Sequence, residues 1–366
     1  MGNDKLYFPG LNGLRAIASL TVVFCHIDLF SGLFGLRKLG FSLGNAADHA
    51  VTLFFVLSGF LITLLLLKEK SIKSDINIRN FYIRRILRIW PLYYTVIIIT
   101  LLLVPFLPTI GYDRYTLVPS VMLFAFLMAN ISYVFFFFST LAPLWSVGVE
   151  EQFYLVWPWI VKNSKKLPLF LFIFIFAYLV ITYGLRVFEN GVFYELFRLS
   201  SFDCMAFGAI GAWMVFNKSR YLVYLYHIAT QLVAVGLIFF SEVLYKYVHI
   251  PNPVQREYYA LLFLVVILNV STNQSSFIKL ENRFFDFLGK ISYGIYMYHM
   301  LVISVLAFFL RPVLVAMDFG YASVIVYMSV VAFTVFVSAI SYFYYEMRFL
   351  SLKDAYGVIH SSNSRW

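Results

Sequence analysis

The sequence predicts an all-α, polytopic membrane bundle, on three observations. Hydrophobic residues make up 62% of the chain and charged residues only 13%, a balance no water-soluble domain needs. The apolar runs are of helix length, not ten-residue alternating strands, so a helical bundle is favoured over a barrel. The charge that remains, net +10, lies in short basic loops between those runs, as cytoplasmic loops do. That placement gives nucleic-acid binding little support. The two cysteines, Cys25 and Cys204, sit inside apolar runs, so no disulfide framework or metal site is read from them. The first run lacks a small-residue cleavage site and reads as a span, not a signal peptide.

Eleven apolar segments are candidates to cross: 13–34, 49–67, 87–106, 117–138, 144–161, 168–187, 200–216, 222–241, 258–272, 291–310 and 321–345. The loop after the second carries Lys68, Lys70, Lys73, Arg79, Arg84, Arg85 and Arg88, which places it and the N-terminus in the cytoplasm. Later basic clusters begin at Lys162, Lys218, Lys279 and Arg348. All fall on the same side only if 117–138 does not cross. That segment contains Pro119, Asn130 and Ser132 and ends in the aromatic run Phe135 to Phe138, which suits an interfacial or re-entrant piece. The expectation is therefore about ten spans with both termini cytoplasmic. A single integral membrane domain is expected over 1–352, followed by a short polar tail over 353–366 that is disordered at its end.

The first span carries two groups a bilayer helix should avoid, Arg15 and His26. They are eleven positions apart, about three turns and about 16 Å of rise, so Arg15, Ser19 and His26 share a face. An ionisable residue in a span marks a functional site by default. The alternative is structural, with Arg15 reaching the membrane surface and His26 satisfied by a neighbour.

Further motifs follow in order. FFVLSGFLI, Phe54 to Ile62, places Ser58-Gly59 where helices can approach closely. NFYIRRILRIWPLYY, Asn80 to Tyr94, offers Arg84, Arg85 and Arg88 either as membrane-face anchors or as an anion site, with Pro91 expected to kink or start the helix. LWSVGVEEQFYLVWP, Leu144 to Pro158, brings Trp145, Ser146 and the adjacent Glu150 and Glu151. A carboxylate there can orient an imidazole or hold a sugar hydroxyl. Its tryptophans suit an interfacial belt or a sugar-stacking surface. Arg198 and Asp203 read as an ion pair or as part of an outer cavity. Ser292, Tyr296 and His299, at i, i+4 and i+7, form a polar helix face that is either a helix–helix seam or catalytic. Glu346 is expected to pair with a neighbouring arginine. There is no Gly-rich phosphate loop, no HExxH and no metal-spaced histidine cluster, so no metal is expected.

In their order and spacing these motifs resemble the acyltransferase 3 family of integral membrane acyltransferases, over about residues 6 to 352. The resemblance implies transfer of an acyl group, often acetyl, from cytoplasmic acyl-CoA to a hydroxyl of a cell-surface carbohydrate or glycolipid, a cell-envelope modification carried out in the plasma or inner membrane. It implies that Arg15 and His26 carry the family's Arg-and-His motif, that Arg84, Arg85 and Arg88 carry its basic motif, and that Trp145, Ser146 and Glu150 carry its Trp-Ser-to-Glu motif. His26 and Glu150 are then the expected catalytic residues and the arginines the expected CoA contacts. Trp145, Ser146, Glu151, Ser292 and His299 are expected toward the substrate. Many relatives have an extracytoplasmic hydrolase-like domain. The stand-alone form without that domain is expected here, and with it the possibility of a separate extracytoplasmic partner. His26 acts either as general base or as an acylated intermediate, and both need a neutral imidazole. The other reading is a transporter or flippase for a glycan precursor, with His26 as proton relay; the arginine cluster favours the enzyme.

Overall fold

A computed structural model describes residues 8–39, 45–108, 114–187, 191–245 and 252–357. Among these residues the chain is helical, with no strand. In order the helices are α1 (Leu11–Leu29), α2 (Ala46–Lys73), α3 (Ile78–Leu103), α4 (Arg114–Ala125), α5 (Ala129–Phe135), α6 (Leu144–Asn163), α7 (Leu167–Val187) and α8 (Gly191–Ser200). They continue as α9 (Phe202–Phe216), α10 (Leu222–Leu225), α11 (Ile228–Tyr245), α12 (Asn252–Thr272), α13 (Arg283–Lys290), α14 (Ser292–Leu314), α15 (Phe319–Ser341) and α16 (Met347–Asp354).

Seven helical stretches among the described residues are long and apolar enough to cross a bilayer. They are α2, α3, α7, α8 with α9, α12, α14, and α15 with α16. Helices α1 and α6 have crossing length, at 19 and 20 residues, but Arg15, His26 and Asp28 dilute one, and Glu150, Glu151 and Gln152 the other. Helix α11 supplies a shorter apolar stretch, Ile228–Ser241. These three lie at the other three expected positions, and α4 holds a second shorter apolar stretch, Tyr115–Ala125. The helix before Asp203 starts earlier than expected, at Gly191, and turns at Ser201, whose φ is 46°. The polar tail lies mostly outside the described residues.

The segment 117–138 is broken. Helix α4 stops at Ala125, Leu127 takes a left-handed φ of 60°, and α5 starts at Ala129. Neither piece reaches the ~20 residues a crossing needs. Non-helical backbone at membrane depth must find partners inside the protein, and here side chains supply them. Tyr93 donates to the Phe124 carbonyl at 3.0 Å and Tyr94 to the Ala125 carbonyl at 2.9 Å. Gln152 and Asn130 exchange amide hydrogen bonds of 3.2 and 2.8 Å, tying α5 to α6.

Helix α2 is central. Of its most apolar window 72% is buried, against 28% for α7 and for the α15 stretch, so those two face lipid. Without a hydrophobic drive between helices in lipid, small residues decide where backbones meet. A Cβ on Gly59 would overlap the Met205 carbonyl, and one on Gly208 the Val56 carbonyl. Helices α2 and α9 therefore touch backbone to backbone. Helix α3 continues through Pro91, so the proline neither starts nor ends it.

The basic loops knit one end together. Lys70 donates to the Val161 and Lys162 carbonyls at the end of α6, at 3.2 and 2.7 Å. Lys162 pairs with Asp75 at 2.8 Å, and its hydrogen bond holds that carboxyl below the usual carboxylate range. At the same end, amphipathic α13 lies against α1, where Asn12 donates to Asp286 at 2.6 Å.

Gly59→Leu and Gly208→Leu should each destabilise the protein by about 1–3 kcal/mol or more, by forcing α2 from α9. Gly184→Leu, where nothing lies within 4 Å of the added carbon, should be near neutral. Thermal unfolding in detergent checks all three, and equal midpoints across the set would refute the close approach.

Candidate functional site

Helix α1 sets the axis of the site. Its stripe faces inward, and the cavities it meets are reached from opposite ends of the bundle. Toward the basic end lies a cavity of about 320 Å³. Arg15, Ser58, Arg85, Arg88, Ser146, Glu150, Tyr154, Ser292 and Tyr296 all line it. Toward the other end lies a smaller space of about 80 Å³, lined by His26, Trp145, Asp48 and Tyr296. Tyr296 belongs to both. Its hydroxyl is 2.8 Å from Ser146 Oγ and donates to the Pro143 carbonyl at 3.0 Å, so this contact forms the wall between them.

In the larger cavity the arginines are available. Arg15 and Arg88 make no ion pair or hydrogen bond among the described residues, and Arg85 contacts only the ring faces of Phe81 and Tyr154, each at 5.8 Å. Unpartnered guanidiniums around one cavity form a site for an anion with several charged oxygens. Glu150 stands opposite. Its Oε1 accepts from Ser58 at 2.7 Å and its Oε2 from Tyr154 at 3.0 Å. Tyr154 is four residues from Glu150, one helical turn on.

Beyond the wall, His26 Nδ1 lies 2.7 Å from His299 Nε2, and His299 Nδ1 lies 2.6 Å from the Tyr296 carbonyl oxygen. A carbonyl can only accept, so His299 carries its proton on Nδ1. Its Nε2 must then accept from His26 Nδ1–H, since neutral imidazole has one donor and one acceptor. The chain leaves His26 Nε2 with a free lone pair. The two rings are nearly parallel, 9° apart, with centroids 5.0 Å apart.

Several expected residues are placed elsewhere. Arg84 turns from the cavity and pairs with Glu69 at 3.0 Å, and it also donates to the Tyr356 carbonyl at 2.8 Å. Glu151 accepts from Trp90 at 2.8 Å on the α3 side and lines neither cavity. Ser292 reaches the larger cavity while donating to the Gly289 carbonyl at 2.8 Å. Ser19 bonds the Ala16 carbonyl at 3.1 Å instead of joining the stripe. Glu346 accepts from Ser341 at 3.0 Å, not from an arginine. Asp203 does not pair with Arg198, which is held by Glu195 at 2.7 Å. Sequence reasoning did not single out Ser58 or Tyr154 for the site; the i, i+4 spacing from Glu150 to Tyr154 was the available signal. A π turn at Tyr342–Glu346 brings Tyr342 to the cavity, a distortion often found at functional sites.

Residues 8–343 match the acyltransferase domain that defines the acyltransferase 3 family. The chain belongs to that family. It is 28% identical over 325 residues to the peptidoglycan O-acetyltransferase OatA of Listeria monocytogenes, covering 82% of this chain and 50% of that protein. It is 35% identical over 164 residues to YrhL of Bacillus subtilis, provisionally named a peptidoglycan O-acetyltransferase, covering 42% of this chain and 23% of that one. A provisionally named O-acetyltransferase of Staphylococcus aureus (strain COL) is 28% identical over 377 residues, covering 94% of this chain and 57% of its own. The acyltransferase 3 chain described here thus spans about half the length of the relatives it matches most broadly. No solved structure matches it. The family is one of multi-pass membrane proteins, in keeping with the helices above.

Arg84 and Arg88 should separate by stability. Arg84→Ala removes the charge partner of the buried Glu69, whose Oε1 keeps only the Asn77 N–H at 3.0 Å, and should cost about 3 kcal/mol, whereas Arg88→Ala removes no partner and should cost well under about 1 kcal/mol. Thermal or denaturant unfolding reads the difference, and equal losses would contradict the assignment of Arg84 to structure.

Proposed function

We propose that this chain is a membrane O-acyltransferase that moves an acyl group, acetyl by default, from cytoplasmic acyl-CoA to a hydroxyl of a cell-envelope carbohydrate. The observation that carries the reading is one axis of the bundle. An arginine-lined cavity at the basic end meets, across a single tyrosine, an imidazole whose free nitrogen is fixed by its neighbour. The names of the relatives, O-acetyltransferases and in two cases peptidoglycan ones, support the donor group and the acceptor class.

In this reading the CoA phosphates are held by Arg15, Arg85 and Arg88, and the arm passes its thioester beside Tyr296 into reach of His26. Glu150, anchored by Ser58 and Tyr154, offsets the arginine charge and keeps that side of the cavity ordered. His26 Nε2 takes the proton of the acceptor hydroxyl as its oxygen adds to the thioester carbonyl. The adduct collapses, the C–S bond breaks, and the CoA thiolate leaves and takes the proton from the imidazolium. An ester and CoA–SH result, and His26 is neutral again. His299 and the Tyr296 carbonyl orient His26 throughout and stabilise the imidazolium through the shared hydrogen bond.

Purified protein in nanodiscs, with radiolabelled acetyl-CoA, tests this. His26→Ala should lower acetyl transfer by about 10²–10⁴-fold. His299→Ala should lower it by about 10–100-fold through loss of the fixed tautomer, with donor affinity kept. Arg15→Ala and Arg88→Ala should each weaken CoA binding by about tenfold or more, and Arg84→Ala should not. Transfer at the wild-type rate in a folded His26→Ala protein, or unchanged CoA affinity in Arg88→Ala, would refute the reading.

A further inference from the structure

A third chamber, of about 370 Å³, lies where α2, α7, α8, α9 and α12 meet, away from the arginine cavity. Asp48 lines both this chamber and the His26 space, so the two adjoin. Asp203 is 1% exposed, and neither of its carboxylate oxygens has a hydrogen-bond partner. Glu257 is 7% exposed, and its Oε2 is likewise unpartnered. Thr182, 3% exposed, adds a third unpartnered oxygen. All three line the same chamber.

Neither nearby arginine bonds to Asp203. Arg198 is held by Glu195, and Arg256 donates to the Arg198 carbonyl and to Ser201. Among the described residues no three acidic, histidine or cysteine side chains gather as a metal site. Buried carboxylates without donors are costly, and such groups are normally satisfied. Asp203 and Glu257 lie close enough for one shared proton to bridge them, which leaves their remaining oxygens and Thr182 to a ligand that brings its own donors. A ligand dense in hydroxyl donors fits. Tyr178 and Tyr194 also line the chamber and set aromatic carbon beside the acceptors, the mix a sugar ring needs. The volume lies within the usual range for small-ligand sites.

We propose that this chamber is the acceptor subsite: it binds one or two sugar rings of the glycan through Asp203 and Glu257, and leads a hydroxyl past Asp48 to His26. This rests on the transferase reading for the use made of the sugar, but saccharide binding by the chamber can be read without any donor.

The test is calorimetric titration of the protein in nanodiscs, without acetyl-CoA, using tri-N-acetylchitotriose and maltotriose as probes. Saturable binding of at least one by the wild type is expected, weakened about tenfold or more in Asp203→Asn and in Glu257→Gln. Thr182→Trp, which fills the chamber and keeps its charges, should abolish it. Thermal midpoints should not fall in Asp203→Asn, because an unpartnered carboxylate is being removed, and the bound sugar should raise the wild-type midpoint but not that of this variant. CoA titration of the same variants checks their fold at the separate arginine cavity. Binding of neither sugar by the wild type, sugar affinity unchanged in both carboxylate variants, or a lowered midpoint in Asp203→Asn would overturn the proposal. Saccharide binding that follows the chamber variants in a protein that does not bind CoA would support the chamber and remove the transferase reading.

Discussion

An ionisable side chain carried into a bilayer must turn inward, because lipid offers it neither water nor a counter-charge. The arrangement of this protein follows from that constraint. Arg15, His26, Arg85, Arg88, Glu150 and Asp203 all lie on helices of the bundle, and each faces a cavity or a partner within it. The outer helices α7 and α15 carry few such groups and are mostly open to lipid. The cavities are thus a direct result of where the sequence places its few charges.

Helix contact and site geometry are linked through α2. Neighbouring residues on a helix point about 100° apart. Gly59 faces the backbone of α9, so Ser58 beside it faces α6, where it holds Glu150. The close approach that fixes α2 against α9 therefore also fixes the orientation of the carboxylate opposite the arginines. The broken segment α4–α5 depends on the same principle from the other side. Its exposed carbonyls are met by Tyr93 and Tyr94, and Gln152, two positions beyond Glu150, ties it to α6.

Features set by one helix were legible in the sequence, and features set by two were not. The Arg15–His26 stripe follows from helical periodicity, and the structure brings both residues to adjoining cavities. The content of 117–138, with its proline and polar residues, announced that it would not form one crossing helix. The arginine cluster could not be resolved in the same way. Arg84 and Arg88 share a face by spacing, yet Arg84 is claimed by Glu69 from a different helix, and no local pattern records that. His299 could be placed on a polar face, but its partner is 273 residues away. Asp203 was open between an ion pair and a cavity. The choice turned on Glu195, which lies in a helix that starts nine residues before the expected span and reaches Arg198 first.

The Tyr296 wall has an electrical consequence. A membrane that stores energy as an ion gradient is an insulator, and hollows reaching in from both faces thin that insulation where they nearly meet. Here that gap is filled by one phenol ring pinned to Ser146 and to the Pro143 carbonyl. Any passage of a chemical group from one hollow to the other has to occur without the ring standing open, or the chain would short-circuit the membrane that holds it.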